Sequence, residues 1–264
     1  MSLHRRVAGF IQKNGVRLAI RAILRRFRSH PAAPVLDPRL RHPFDLRHGT
    51  DTSGFINNMV LNTPHGVVKT VYLAISPSTL KAALADLPVR CEDFTFLDIG
   101  CGKGRAILVA ADFPFASLIG VELSPDLCHL ARRNLATQTH LTRRATITEQ
   151  DATTYTFPQA PLVLFFYDPF LEDIFHRFMA NLETQLRASP REVYLLYAAN
   201  SFASLMDRLP FLERVYDRQI PLSPEDAALD QLSYDLQFPP RLGEKPEDRK
   251  RITHEHFMLY RARI

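Results

Sequence analysis

The sequence predicts an α/β protein built on a doubly wound, mostly parallel sheet, with a helical arm at its N-terminus. Three observations carry this. Short apolar runs alternate with helix-length segments between residues 94 and 197, the pattern of β-α units whose sheet is covered on both faces. The first of these runs passes straight into glycines 100, 102 and 104, in "FLDIGCGKG". The C-terminal part differs: the strand-like segments 211–220 and 254–263 have no long helix between them and predict an antiparallel hairpin with a proline-rich, charged insertion at 221–251.

Composition bounds the reading further. A chain of 264 residues can bury a sizeable core, and 46% hydrophobic against 23% charged residues excludes a mainly disordered protein. No apolar run approaches the roughly 18 residues of a membrane-spanning helix. Cys91, Cys101 and Cys128 have no paired spacing, which fits a reducing, cytoplasmic setting and supplies no zinc ligand set. His254 and His256 lack the four-residue spacing of a helical metal pair, so the His254-Glu255-His256 triplet reads as structural or surface and no metal site is expected.

The elements follow in order. Residues 1–36 hold eight Arg or Lys and no acid, so the formal charge of +5 becomes −3 over 37–264 once that +8 is removed. Within this arm Val16, Ile20, Ile23, Leu24 and Phe27 share one helical face, and Arg17, Arg21, Arg25 and Arg28 line the next. Such a basic amphipathic helix suits an anionic partner or a peripheral place on a membrane surface, a targeting segment, or simple packing on its own domain. Four prolines make 30–45 a linker. The turn-rich "RHGTDTSGF" (47–55) reads as a loop or lid, and 78–87 as a helix with Ser78 as cap. Then come strand 94–99, helix 103–112, strand 117–122 and a helix opening at Ser124-Pro125. Strands 145–149 and 162–167, a helix from 171 to about 186, and strand 191–197 complete the series. The chain thus divides into an arm (1–30), a linker with loop and pre-core helix (31–90) and a domain (91–264) interrupted at 221–251.

The glycine turn narrows the ligand. A dinucleotide fingerprint needs its third glycine at 105, which is Arg105, and a phosphate-cradling loop needs Ser or Thr after Lys103, where Gly104 stands. Asp98 ends the first strand, Glu122 the second, and Asp151 follows the third. A carboxylate at the second strand end can accept both hydroxyls of a ribose. Three acids at successive strand ends suit a ligand with ribose and amines, and repel a phosphate.

Residues 94–170 resemble a class I S-adenosylmethionine (SAM)-dependent methyltransferase. "FLDIGCGKG" is similar to that superfamily's first motif, "GVELS" (120–124) to its second, "EQDATTY" (149–155) to its third and "LVLFFYDPF" (162–170) to its fourth. The resemblance implies a Rossmann-like, seven-stranded sheet with an antiparallel C-terminal strand. It also implies that Asp98, Gly100, Cys101, Gly102 and Gly104 surround the methionine part of SAM, that Glu122 binds the ribose, and that Asp151 and Ala152 meet the adenine. Within the superfamily the chain is similar to the branch of the histone-lysine methyltransferase that lacks a SET domain, and to bacterial proteins loosely grouped with it. That branch implies an upstream tyrosine helping to close the cofactor site, for which Tyr72 is the candidate. In "YDPF", Asp168 could accept a hydrogen bond from an amine and Phe170 could wall its pocket, with Tyr167 beside them. The expected function is N-methylation of a protein, lysine-like, or another macromolecule. The competing readings are a methyltransferase-fold binding module docked by its basic arm and a small-molecule methyltransferase; a nicotinamide dehydrogenase is disfavoured by the glycine spacing.

Overall fold

The computed structural model describes residues 41–63, 66–141, 143–237 and 250–264; the predicted arm and its arginines lie outside them. A helical turn α1 (Pro43–His48) leads into strands β1 (Phe55–Thr63) and β2 (Gly66–Leu73), and then into helix α2 (Pro77–Ala85). The alternating part comprises β3 (Thr95–Ile99), α3 (Arg105–Ala110), β4 (Ser117–Glu122), α4 (Pro125–Ala136), β5 (Ala145–Glu149), β6 (Leu162–Tyr167), α5 (Glu172–Ala188) and β7 (Val193–Ala198). The chain closes with α6 (Ala203–Met206), β8 (Leu212–Pro221), α7 (Pro224–Gln237) and β9 (His254–Ala262).

Seven strands form one sheet in the order β5-β4-β3-β6-β7-β9-β8, parallel except for β9, which runs antiparallel to both of its neighbours. The parallel strands sit between two apolar layers, which is why they read as unbroken apolar runs rather than as alternation. One layer joins Phe96, Phe165, Leu196 and Leu259 to Leu80 of α2 and Ile107 of α3. The other joins Leu97, Leu164, Tyr197 and Tyr260 to Phe175, Phe178 and Leu182 of α5. Along α5 the buried residues 175, 178, 179, 182 and 186 follow helical spacing, and burying each large side chain is worth roughly 1.5–3 kcal/mol. The helix opening at Ser124-Pro125 has the predicted cap, with the Ser124 hydroxyl accepting from the Leu127 N–H at 3.4 Å.

Three local readings need correction. Helix α2 is capped at Ser76 with Pro77 in its first turn; the Ser78 hydroxyl instead reaches the Asp226 carboxylate. The stretch 56–77, where no element is expected from the sequence, contains the antiparallel pair β1–β2, a ribbon separate from the main sheet. The insertion 221–251 is not all irregular, since it opens with α7, a 14-residue helix.

Candidate active site

The sheet order reverses between β3 and β6, and ligands of open α/β sheets lie beyond the strand C-termini at such a switch point. There a cleft of about 370 Å³ opens. Of the twelve residues singled out from the sequence, nine line it: Tyr72, Gly100, Gly102, Glu122, Asp151, Ala152, Tyr167, Asp168 and Phe170. Asp98, Cys101 and Gly104 stand behind this surface. Asp98 is buried in β3, Cys101 packs against Gly120, and Gly104 packs on Ala131 while opening α3.

The turn after β3 is fastened to β4 by Gly100 N–H and Cys101 N–H, which both donate to the Val121 carbonyl (2.8 and 3.1 Å). Glycine is required at two points for different reasons. Gly100 has φ +74°, and a Cβ there would meet Pro169 Cβ at 2.5 Å, so the loop after β6 lies directly on the glycine turn. Gly102 has φ +54° and would drive a Cβ into the Tyr72 ring.

The Glu122 carboxylate organises this turn. It accepts the Gly102 N–H at 2.9 Å and the Ser124 N–H at 2.8 Å, leaving further lone pairs toward the cleft. Burial raises its pKa, against the pull of those N–H donors. Burial and the neighbouring Glu122 charge raise Asp98 well above the usual carboxylate range, and no cation or hydroxyl among the described residues is paired with it. Two buried acids without a counter-charge suit a cationic ligand and disfavour a phosphate. Asp151 accepts from the Thr153 N–H and hydroxyl (2.8 and 2.7 Å), which fixes Ala152 at the cleft edge.

On the other wall, the residues that follow β6 and β7, Asp168 and Ala199, have left-handed backbones with φ +41° and +91°. Left-handed non-glycine residues cost of order 1–3 kcal/mol and persist only where the surroundings impose them. Here the Asp168 carboxylate is held by the Tyr197 hydroxyl and by Ser201 Oγ at 2.5 Å.

Sequence reasoning missed what anchors the upstream loop. Buried Asp45 accepts the hydroxyls of Thr50, Thr52 and Ser53 and lies 3.5 Å from the Arg105 guanidinium, itself buried. Arg105 also donates to Thr52 Oγ1, and Lys103 Nζ to Ser53 O (2.9 Å) and Asp51 (3.1 Å). Tyr72 OH donates to Thr52 O at 2.6 Å. The 47–55 loop is thereby tied to the glycine turn through the residue that breaks the dinucleotide fingerprint. A run of hydroxyls beside a carboxylate was the available signal; its distant arginine was not visible. Burial alone would raise Asp45, but Arg105 and the three hydroxyls outweigh it and bring it down to about 2. Arg105→Ala is expected to cost about 3–5 kcal/mol in denaturant unfolding by leaving Asp45 buried without its cation. Because the folded-state pKa is the lower one, this contribution holds above the ordinary carboxylate range and is lost as pH falls from about 4 toward 2, an effect of about 2 kcal/mol.

Residues 96–188 match the family model of a methyltransferase domain. No curated protein matches the chain significantly. Similar solved structures include TrmN from Thermus thermophilus (18% identity, 71% of this chain and 49% of that one, TM-score 0.47). Another is the O-methyltransferase of a trans-AT PKS multienzyme of Brevibacillus brevis with S-adenosyl-L-homocysteine (18%, 71% and 72%, 0.45). A third is magnesium protoporphyrin IX methyltransferase of Synechocystis PCC 6803 with bound SAM (12%, 71% and 79%, 0.44). The matched segment identifies residues 96–188 as a methyltransferase domain, and the sheet has the Rossmann-like methyltransferase fold. No helix among the described residues is long and apolar enough to cross a membrane.

Proposed function

We propose that this enzyme methylates a nitrogen, on a lysine-like side chain of a protein or on another macromolecule. The observation that carries the reading is the contact of the "YDPF" turn with the cofactor turn. Pro169 lies on Gly100, so Asp168 and Phe170 share one cleft with Glu122 and Asp151.

When bound, SAM supplies an electrophilic methyl group on a sulfonium. Glu122 would hold its ribose, Asp151 and Ala152 its adenine edge, and the glycine turn with Asp98 its methionine end. The chain's own task is then to align a nitrogen and to strip it of water. Asp168, fixed by Tyr197 and Ser201, offers remaining carboxylate lone pairs to an amine N–H, and Phe170 gives that amine an apolar wall. Tyr72 roofs the turn at Gly102.

Incubating the protein and methyl-labelled SAM with a lysate lacking this protein tests the reading. Label is expected in protein, stable to hydroxylamine and base as an N-methyl group is. Label confined to small molecules, or lost as methanol in base, contradicts it.

A further inference from the structure

Large apolar side chains collect at the mouth of the cleft. Seven such side chains are exposed among the described residues, and three of them, Val71 (50%), Leu73 (41%) and Leu171 (53%), line it. They come from separate elements: β2 supplies Val71 and Leu73, and the loop between β6 and α5 supplies Leu171. Met59 and Leu61 of β1 extend the apolar lining on the ribbon side, and Phe170 and Ile174 extend it on the other. Exposed apolar residues scattered over a surface are ordinary, but a set of them gathered at a cleft marks a surface that a ligand covers.

The cofactor does not account for them. Glu122 and Asp151 mark the ribose and adenine ends, and the next residues in the chain, Leu123 and Ala152, give apolar contact there. The cleft of about 370 Å³ lies near the lower end of the roughly 300–1,000 Å³ that pockets for a single ligand span. With SAM in place, the body of the acceptor therefore lies at the mouth, and only a slender group reaches Asp168.

Charge narrows the occupant. The charged residues lining the cleft are Glu122, Asp151 and Asp168, and no Lys, Arg or His lines it. A nucleic acid brings phosphates that its binding site must neutralise with cations, whereas this lining offers only carboxylates. A lysine side chain matches both features, since its methylene stem packs along apolar walls while its nitrogen reaches a carboxylate.

Resting on the N-methylation reading, we propose that the acceptor is a protein segment that presents a lysine between large apolar side chains, which seat on Val71 and Leu73 on one side and on Leu171 on the other. The lysine stem passes Phe170, and its nitrogen meets Asp168. Seating the flanking residues covers the exposed apolar rim, closes the mouth over the amine and excludes water from it. Leu73 and Leu171 set specificity, and neither touches the reacting atoms.

The test gives the full chain, with SAM, two peptides: acetyl-Ala-Leu-Lys-Leu-Ala-amide and acetyl-Ala-Ser-Lys-Ser-Ala-amide. Burying two leucine side chains about halfway predicts a kcat/KM about 10- to 100-fold higher for the leucine peptide, expressed mainly in KM. Leu73→Ser and Leu171→Ser are each expected to shrink that ratio, and the double variant to bring it within about threefold of unity. Both positions are exposed, so thermal stabilisation by SAM is expected to persist and shows that the variants are folded. A leucine preference that is absent in the wild type, or that survives in the double variant, overturns the apolar seat and leaves N-methylation standing. Faster methylation of octylamine than of the leucine peptide, or label entering the bases of added RNA in place of either peptide, gives the cleft a different occupant. Either result overturns the protein segment while N-methylation stands. SAM binding with neither peptide, octylamine nor RNA methylated overturns both.

Discussion

Replacing Glu122 by alanine is expected to weaken SAM binding by at least about 100-fold, read as the loss of ligand-induced thermal stabilisation and of a measurable Kd. The carboxylate has two duties. It ties the Gly102 and Ser124 N–H groups, which sets the shape of the glycine turn, and it keeps lone pairs for two vicinal hydroxyls. Hydrogen bonds to a charged group contribute roughly 1.5–3 kcal/mol each, so losing two ribose bonds removes about 3 kcal/mol or more before the turn relaxes. Glu122→Gln is expected to do little better. An amide keeps one acceptor oxygen, and its NH2 would oppose one of the two N–H donors. If Glu122→Gln binds SAM as the wild type does, the carboxylate is not the ribose ligand.

Asp168→Asn is expected to lower kcat by about 100-fold, within the range for losing a positioned proton-accepting group, while leaving SAM affinity and folding nearly intact. Asparagine tolerates the left-handed φ of +41° and can still accept from Tyr197 or Ser201. Asp168→Ala differs, since it puts a side chain without such tolerance into the strained turn and leaves two hydroxyls without their acceptor. That variant is expected to lose about 1–3 kcal/mol of stability as well. Measuring kcat and KM for both variants separates the two contributions. A kcat in Asp168→Asn equal to that of the wild type would show that the turn merely shapes the chain.

The residues also show what a sequence makes legible. Strands buried on both faces announce themselves, so "LVLFFY" and "VYLLYA" are readable without any partner, and the glycine spacing is readable because φ > 0 leaves few alternatives. Features made by distant pairs are hidden. Asp45 and Arg105 are 60 positions apart, and Thr79 meets Glu255 across 176 positions; neither pair has a local signature. Some signals were present and outweighed. Ser223-Pro224-Glu225-Asp226 is a helix start, with Ser223 Oγ accepting the Asp226 N–H at 3.1 Å, yet the prolines and charges downstream dominate the segment. The β1–β2 ribbon escaped for a different reason: it is a two-stranded sheet of its own, outside the β-α alternation that organises the rest of the chain. The cleft lining was thus readable at the strand ends, and hidden where tertiary contacts bring distant residues together.

Calorimetric titration of the pure full chain with SAM, in buffers of different ionisation enthalpy, tests the central claim most directly. Burial raises both Asp98 and Glu122, and a bound cation would lower them again. The expected result is one SAM per chain, with proton release on binding and affinity that grows as pH rises. Absence of binding heat at any pH, or binding of ATP or a dinucleotide in preference to SAM, would contradict a cleft built for a phosphate-free cationic nucleoside.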